Sequence, residues 1–344
     1  MTKKMNGIPG NTLKILLVLL LGIQVVFGQA KIATTSAQFL GIPIGGRALA
    51  MGGASVSSMN DISCVYFNPG AFVQAKKTEA MFSNTNWLVD SRLRWIGGMV
   101  NFDGANAIAV SITQLDYGDE EVTTELYPNG TGQYWSAQDL SIAISYARSL
   151  TDRFSIGGSV KYISQQVWNE SASTIAFDAG LLFVTGFHDM RLGMSISNFG
   201  GDLSLDGRDL NTKIDIDPSN PGSNKTLVGK LKVDSWPIPI FFRVGLGLDL
   251  LNTPEYAVTI AADAIRPNDN VLTLNLGGEV SLFKTVFLRA GYKSLLQQDS
   301  EEGLTFGIGA RYELDGFAAF ELNYANQQFG RFGDLNTISV SIGL

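Results

Sequence analysis

The stretch DLSIAISYA, residues 139–147, alternates without a break. Leu140, Ile142, Ile144 and Tyr146 occupy one register, and Asp139, Ser141, Ala143 and Ser145 the other. Successive side chains on a strand point to opposite faces, so this is a strand with one apolar face and one small or polar face. The pattern recurs at 107–115, 155–163, 174–183, 190–198, 240–249, 256–263, 272–282, 286–293, 304–312, 318–324 and 337–344. With two less regular runs at 80–87 and 92–102, about fourteen strands are expected.

Charge tells what the apolar register faces. None of the twelve regular runs carries Asp, Glu, Lys or Arg in it. The opposite register holds Lys161, Asp178, Arg243, Asp263, Glu279, Arg289 and Glu321 among many Gly, Ser, Ala and Thr residues. A cation on the lipid face of a membrane barrel costs about 2–4 kcal/mol at mid-depth, so a charge-free register is what lipid demands. A soluble sandwich also alternates, and connection length separates the two. Connections 103–106, 151–153, 186–189, 250–255, 283–285 and 315–316 are short. Those at 116–136, 165–173, 199–239, 264–270, 294–303 and 325–336 are long; only the first of that set, near Asp90, is short. Short turns at one end and long loops at the other mark an all-β, transmembrane outer-membrane barrel, with both termini on the periplasmic side and the long loops extracellular. Trp87, Trp95, Tyr146, Tyr162, Tyr256, Tyr292, Tyr312 and Tyr324 lie near strand ends, where interfacial aromatic girdles are expected.

Composition agrees. Charged residues are 17% of the 344, against roughly 25% in soluble domains, and Gly numbers 38. The net charge of −7, without Lys/Arg blocks, argues against nucleic-acid binding. Lys3, Lys4 and Lys14 with the apolar run 15–27 read as a secretory signal, residues 1–28, cleaved after Gly28 or Ala30. No later run approaches the length of a spanning helix.

Catalytic chemistry is not in evidence. His188, the single histidine, sits in a turn, and Cys64, the single cysteine, has no histidine near it in sequence and reads as a small buried residue. The acids at 119–121 and 301–302 lie in long connections. Residues 215–222 have oxygens at alternate positions, but the twelfth position of that loop is Thr226, where an EF-hand needs an acid. No enzyme, cofactor or metal site is assigned.

Between the signal and the strands lies IGGRALAMGGASVSSMNDISCVYFNPG, residues 44–70, too rich in Gly and Ala for an ordinary core helix. Its Gly46, Arg47, Ala48, Met51, Gly52, Gly53, Ala54, Asp61, Tyr66, Asn68 and Pro69 resemble the N-terminal hatch motif of the FadL-like outer-membrane superfamily, and within it the PorV/PorQ family of type IX secretion proteins. It departs at Gly70, where Ala is usual, and at Asn60-Asp61, where a pair of acids is common. Residues 276–325, with Gly278, Glu279, Arg289, Gly291, Gly307 and Gly309, resemble the closing strands of the same family.

The resemblance implies a hatch at 29–78 lying in or against the lumen of a fourteen-strand barrel at 79–344. A barrel of this size is too wide for its own inward side chains to fill, since about eight strands is where they just suffice. Arg47 and Asp61 are expected to pair with lumenal Asp178, Glu279, Arg289 or Glu321, because buried charges need partners. The resemblance also implies a secretion role, with translocon or attachment-complex proteins and secreted cargo C-terminal domains as partners, outer-membrane lipid as solvent, and no nucleic acid. Tyr117, Tyr134, Trp135 and Trp236 in the long loops are the expected anchors. The alternative is a channel for hydrophobic small molecules, with Gly97, Gly98, Gly157 and Gly158 marking a kink in its wall.

Overall fold

The computed structural model describes residues 34–344, apart from 59–60, 218, 221–225, 298–299 and 315–316. The signal segment expected at 1–28 lies outside the described residues. Fourteen strands follow one another around the barrel: β1 Glu79–Asn86, β2 Arg92–Asn101, β3 Asn106–Glu121, β4 Tyr134–Thr151, β5 Phe154–Val167, β6 Glu170–Val184 and β7 Arg191–Gly200. Then come β8 Phe241–Asn252, β9 Tyr256–Pro267, β10 Thr273–Leu282, β11 Val286–Tyr292, β12 Leu304–Leu314, β13 Ala318–Gln328 and β14 Asp334–Gly343. Every neighbouring pair is antiparallel, and β1 pairs with β14 from Glu79↔Gly343 to Asn86↔Asn336, closing the sheet. Closure leaves no barrel edge with unpaired backbone groups, the condition for crossing a bilayer with strands.

The two registers separate as the charge pattern requires. Phe82, Ile96, Val110, Ile144, Val160, Phe242, Ile308 and Val340 stand outward and exposed, whereas Lys161, Asp178, Arg243, Asp263, Glu279 and Arg289 point inward and are buried. Ile144, in the middle of β4 and 61% exposed, is a clean probe of the outward face. Ile144→Arg should lower barrel stability in lipid by about 2–4 kcal/mol, measured by equilibrium unfolding from vesicles.

Several boundaries move. The expected loop 116–136 is mostly a hairpin: β3 runs on to Glu121 and β4 begins at Tyr134, with a register slip between Asp116 and Asp119. The expected loop 165–173 shrinks to a turn at 168–169 for the same reason. Beyond the lipid belt the outward positions turn polar, so the apolar alternation stops while backbone pairing continues. Tyr117, Tyr134 and Trp135 therefore sit on strands rather than in a loop. The connection 201–240 is long, and carries a small hairpin of Asn211–Ile214 with Leu227–Lys230.

Trp95 is a second correction. It is buried and points inward between Leu93 and Met99, its ring lying over Gly97, where a Cβ would overlap it. Arg92 and Arg94 occupy the outward register of β2 at its long-loop end, which is why this run reads as irregular and its faces are easily exchanged. Tyr146, Tyr162, Tyr256, Tyr292, Tyr312 and Tyr324 do stand outward and exposed.

Leu344 donates its N–H to the Thr78 carbonyl at the short-turn end. At the long-loop end, the Thr35 hydroxyl donates to Asp269 and the Ser36 amide to the Pro237 carbonyl. Residues 35–36 and residue 344 thus bond at opposite ends of the barrel.

Candidate functional site

The described residues of 34–78 contain little regular structure: α1 Gly46–Ala50, α2 Cys64–Phe67 and two single-turn 3-10 segments. Gly45, Gly52 and Gly53 adopt positive φ and break the described chain into short turns. What orders the segment is contact with inward faces of the strands. Phe39, Leu40, Ile44, Val65, Phe67, Phe72 and Val73 are buried in one apolar cluster with Met81, Leu93, Trp95, Met99, Ala107 and Leu182. Cys64 is buried in the same cluster.

Glycines of the wall admit the segment at backbone distance. A Cβ on Gly157 would overlap the Pro69 carbonyl, one on Gly180 the Asn68 side chain, and one on Gly193 the Val56 carbonyl. On the far side Gly277 faces the Met51 carbonyl, Gly291 the Gly52 amide and Gly307 the Ala50 side chain. Gly157 is thus a contact point rather than a kink in the wall. Gly98 has nothing within 4 Å, and Gly97 lies under Trp95.

Hydrogen bonds then fix the register of the segment around the barrel. Gly46 N–H donates to Ser339 Oγ at 3.0 Å, and the Thr305 hydroxyl both donates to the Ala50 carbonyl and accepts from Gly52 N–H, each at 3.0 Å. Asn68 Nδ2 donates to the Val56 and Leu181 carbonyls, while its Oδ1 accepts from Gly70 N–H. Tyr66 Oη donates to the Leu40 and Ile42 carbonyls, both at 2.7 Å, tying the start of the segment to its middle. Asp263, wholly buried on β9, accepts from the Ser55 and Val56 amides at 2.6 and 2.8 Å. Asp263→Ala strands both amides in a buried site, at about 1–3 kcal/mol each. It should raise amide exchange at 55–56 in mass-spectrometric hydrogen exchange while strand exchange stays slow.

The charged contacts of Arg47 form one chain. Arg47 meets Glu279 through Nε at 2.9 Å and Nη2 at 3.2 Å. Glu279 also takes Arg289 Nε at 2.6 Å, and Arg289 reaches Asn323 and Glu321. Arg47, Glu279 and Arg289 are all buried. Asp178 lies elsewhere: it occupies the register slip between β6 and β7, pairs with Lys161 at 2.6 Å, and accepts from Asn198 N–H. Lys161 also stands over the Tyr66 ring at 5.9 Å. Of the two charges expected to pair with the lumen, Arg47 reaches one of the four expected partners. Asp61 instead accepts the amide and hydroxyl of Ser63, and its neighbour Ile62 donates to Glu79 at 2.7 Å. Glu79 and Asp263 anchor the segment, yet nothing in local sequence distinguishes them from other inward charges.

Two cavities flank the segment. At the short-turn end about 350 Å³ is lined by Arg47, Asp61, Lys77, Glu279, Arg289 and Arg311 among others. At the long-loop end about 430 Å³ lies among Ile42, Trp87, Phe241, Ile265, Asn275 and Lys293. Glu302 at its rim is bonded by Lys293 Nζ and the Ser294 hydroxyl. Burial works to raise the Glu302 carboxyl, but Lys293 and Ser294 outweigh it and hold the group below its ordinary value. Outside the barrel, Tyr117 and Tyr134 on the β3–β4 hairpin are exposed, and Trp135 is half-buried between them. Tyr117 Oη donates to Asp139 at 2.9 Å. Trp236 is exposed in a different loop, bridged to Leu203 by two backbone hydrogen bonds of 2.8 Å. The structure thus places these four aromatics at one end but not in one cluster. His188 stands in its short turn at φ 48°. Among the described residues no three His, Cys, Asp or Glu side chains are grouped to hold a metal ion.

Comparison with known proteins places this geometry. The chain is similar in fold to a FadL homologue of Pseudomonas aeruginosa, at TM-score 0.56 and 13% identity over 88% of this chain and 98% of that one. It is similar to the monoaromatic hydrocarbon channel CymD, at TM-score 0.56 and 14% identity over 87% of this chain and 96% of that one. It is similar to the toluene transporter TodX of Pseudomonas putida, at TM-score 0.54 and 12% identity over 87% and 96%. No curated protein matches the chain in sequence. The family model for the type IX secretion system protein PorV matches residues 27–209, more than half of the chain. That match takes in the N-terminal segment and β1–β7, and stops short of the C-terminal residues on which the sequence resemblance also rests. The chain belongs to the PorV family of type IX secretion system proteins, as an outer-membrane β-barrel of FadL-like fold.

Proposed function

We propose that this secretion-system barrel works as a docking protein: its long-loop end faces the cell exterior and receives secreted cargo proteins or their translocon and attachment partners. The family match over 27–209 carries the reading. The packing of residues 37–73 against inward faces on both sides of the barrel supports it, because a filled lumen leaves the loops as the working surface. In this reading the segment 34–78 is a plug held by Arg47 and Asn68-Pro69, while Asp61 braces the segment internally through Ser63. Tyr117, Tyr134 and Trp236 supply exposed aromatic anchors of the kind that concentrate binding energy. No catalytic role is assigned to any residue.

A second reading has its own observation. The long-loop cavity contains Ile42, Phe241 and Ile265, and the structural neighbours include hydrocarbon channels, which favours a hydrophobic small molecule as an alternative ligand. The wall at the other end of the lumen is densely charged, a poor exit for such a molecule.

Affinity purification from native membranes, with a tag inserted at Pro128–Asn129 in the β3–β4 connection, separates the two. Recovery of type IX translocon subunits or cargo C-terminal domains supports docking. Recovery of fatty acids or hydrocarbons without protein partners overturns it in favour of the channel.

A further inference from the structure

The two cavities come close together along one part of the wall. The inward face of β10 carries Thr273, Asn275, Gly277 and Glu279 in succession, and β11 with the residue after it carries Arg289, Gly291 and Lys293. Thr273, Asn275 and Lys293 line the long-loop cavity, whereas Glu279 and Arg289 line the short-turn cavity. On both strands only a glycine, Gly277 or Gly291, lies between them. Asn275 and Glu279, like Arg289 and Lys293, are four residues apart, about 13 Å along the strand, and the chain that fills this gap is a single turn.

That turn is Met51–Gly53. Gly52 lies against the backbone of Leu276 and Tyr292, and Gly53 beside the Asn275 side chain. Gly52 and Gly53 hold φ of 67° and 79°, so the turn is built from the residue type with the widest choice of backbone conformations. The turn is tied beside this wall, on β12, by Gly52 N–H donating to Thr305 Oγ1 at 3.0 Å. On the opposite wall, Leu93, Trp95 and Met99 fill the lumen with apolar bulk against the segment.

We propose that the β10–β11 wall is a gated polar path across the barrel, with the Met51–Gly53 turn as its gate and water and small hydrated ions as what passes. The lining sets the cargo. Asn275, Lys293 and Glu302 stand on one side of the turn, and Arg47, Glu279 and Arg289 on the other. Fixed charges of both signs replace hydration for ions, while an apolar solute gains nothing beside them. The path is independent of protein docking and does not need the plug to leave: displacing one three-residue turn joins the cavities.

Conductance of the full-length protein in planar lipid bilayers tests this. Wild type should be shut, with rare brief openings, and Met51→Gly should raise mean conductance at least tenfold. Gly277→Ala, which displaces the same turn from the wall side, should do likewise, so the test survives if one variant does not fold. In either open background Lys293→Gln should shift the permeability ratio at least twofold toward cations. Met99→Ala, on the opposite wall, should leave conductance at the wild-type level. Conductance unchanged in folded Met51→Gly and Gly277→Ala, or raised without a response to Lys293→Gln, overturns the proposal.

Discussion

Glu279→Ala should release the N-terminal segment more completely than Arg47→Ala. Glu279 is the shared acceptor of Arg47 and Arg289, at 2.9 and 2.6 Å. Removing it leaves the Arg47 guanidinium buried without its carboxylate and Arg289 with only Glu321 at 3.5 Å, and breaking a buried pair by deleting one partner costs about 3–5 kcal/mol. Arg47→Ala also removes the tie to the segment, but the Glu279–Arg289 pair survives and no buried charge is left alone. The expected readout is hydrogen exchange at 44–58 in detergent-solubilised protein. At about 1.4 kcal/mol per decade, Glu279→Ala should speed it by roughly a hundredfold or more, and Arg47→Ala by clearly less. Equal effects would mean that the carboxylate does not bridge the two arginines. Glu279→Ala paired with Arg47→Met should recover part of the loss, since one of the stranded charges is then gone.

Gly193→Val should expel the middle of the segment while the barrel stays closed. A Cβ at Gly193 would overlap the Val56 carbonyl, and Val56 cannot retreat freely because its amide is held by Asp263. Overpacking a filled interior costs about 1–3 kcal/mol when side chains can adjust. Here the obstacle is backbone, so the segment yields rather than the wall. Protease cleavage within 55–70 should appear, with the heat-modifiable gel mobility of a closed barrel retained. Gly98→Val is the control: nothing lies within 4 Å of that position, and the segment should stay protected. Cleavage in both variants, or in neither, would contradict the close approach at Gly193.

The strands were legible because lipid and lumen impose opposite chemistry on alternate residues. Leu140, Ile142 and Ile144 against Asp139, Ser141 and Ser145 show it, and the number of strands follows from counting such runs. Where that contrast fades, the reading fails. The β3–β4 hairpin outruns the lipid and loses its apolar register near Asp116, so its extension looks like loop. Trp95 sits in a strand whose outward face carries Arg92 and Arg94, so its inward direction was hidden.

The site was legible in its members more than in its contacts. Alternation reports which face Glu279 occupies, but not that Arg47, 232 positions away, stands opposite it. The small-residue lumen was visible as composition. Which glycines meet the segment depends on the path of residues 44–70 through the barrel, and no local period encodes that path. For the same reason Asp263 and Glu79 were indistinguishable from inward charges that touch only the wall.

The central claim is that the long-loop end meets proteins. The most direct measurement is photo-crosslinking in living cells from a photoreactive residue at Tyr134, with Ile144 on the lipid face as reference. Protein adducts containing type IX components or their cargo at position 134, with none at 144, are the predicted result. Adducts absent at 134, or identical at both positions, would contradict it.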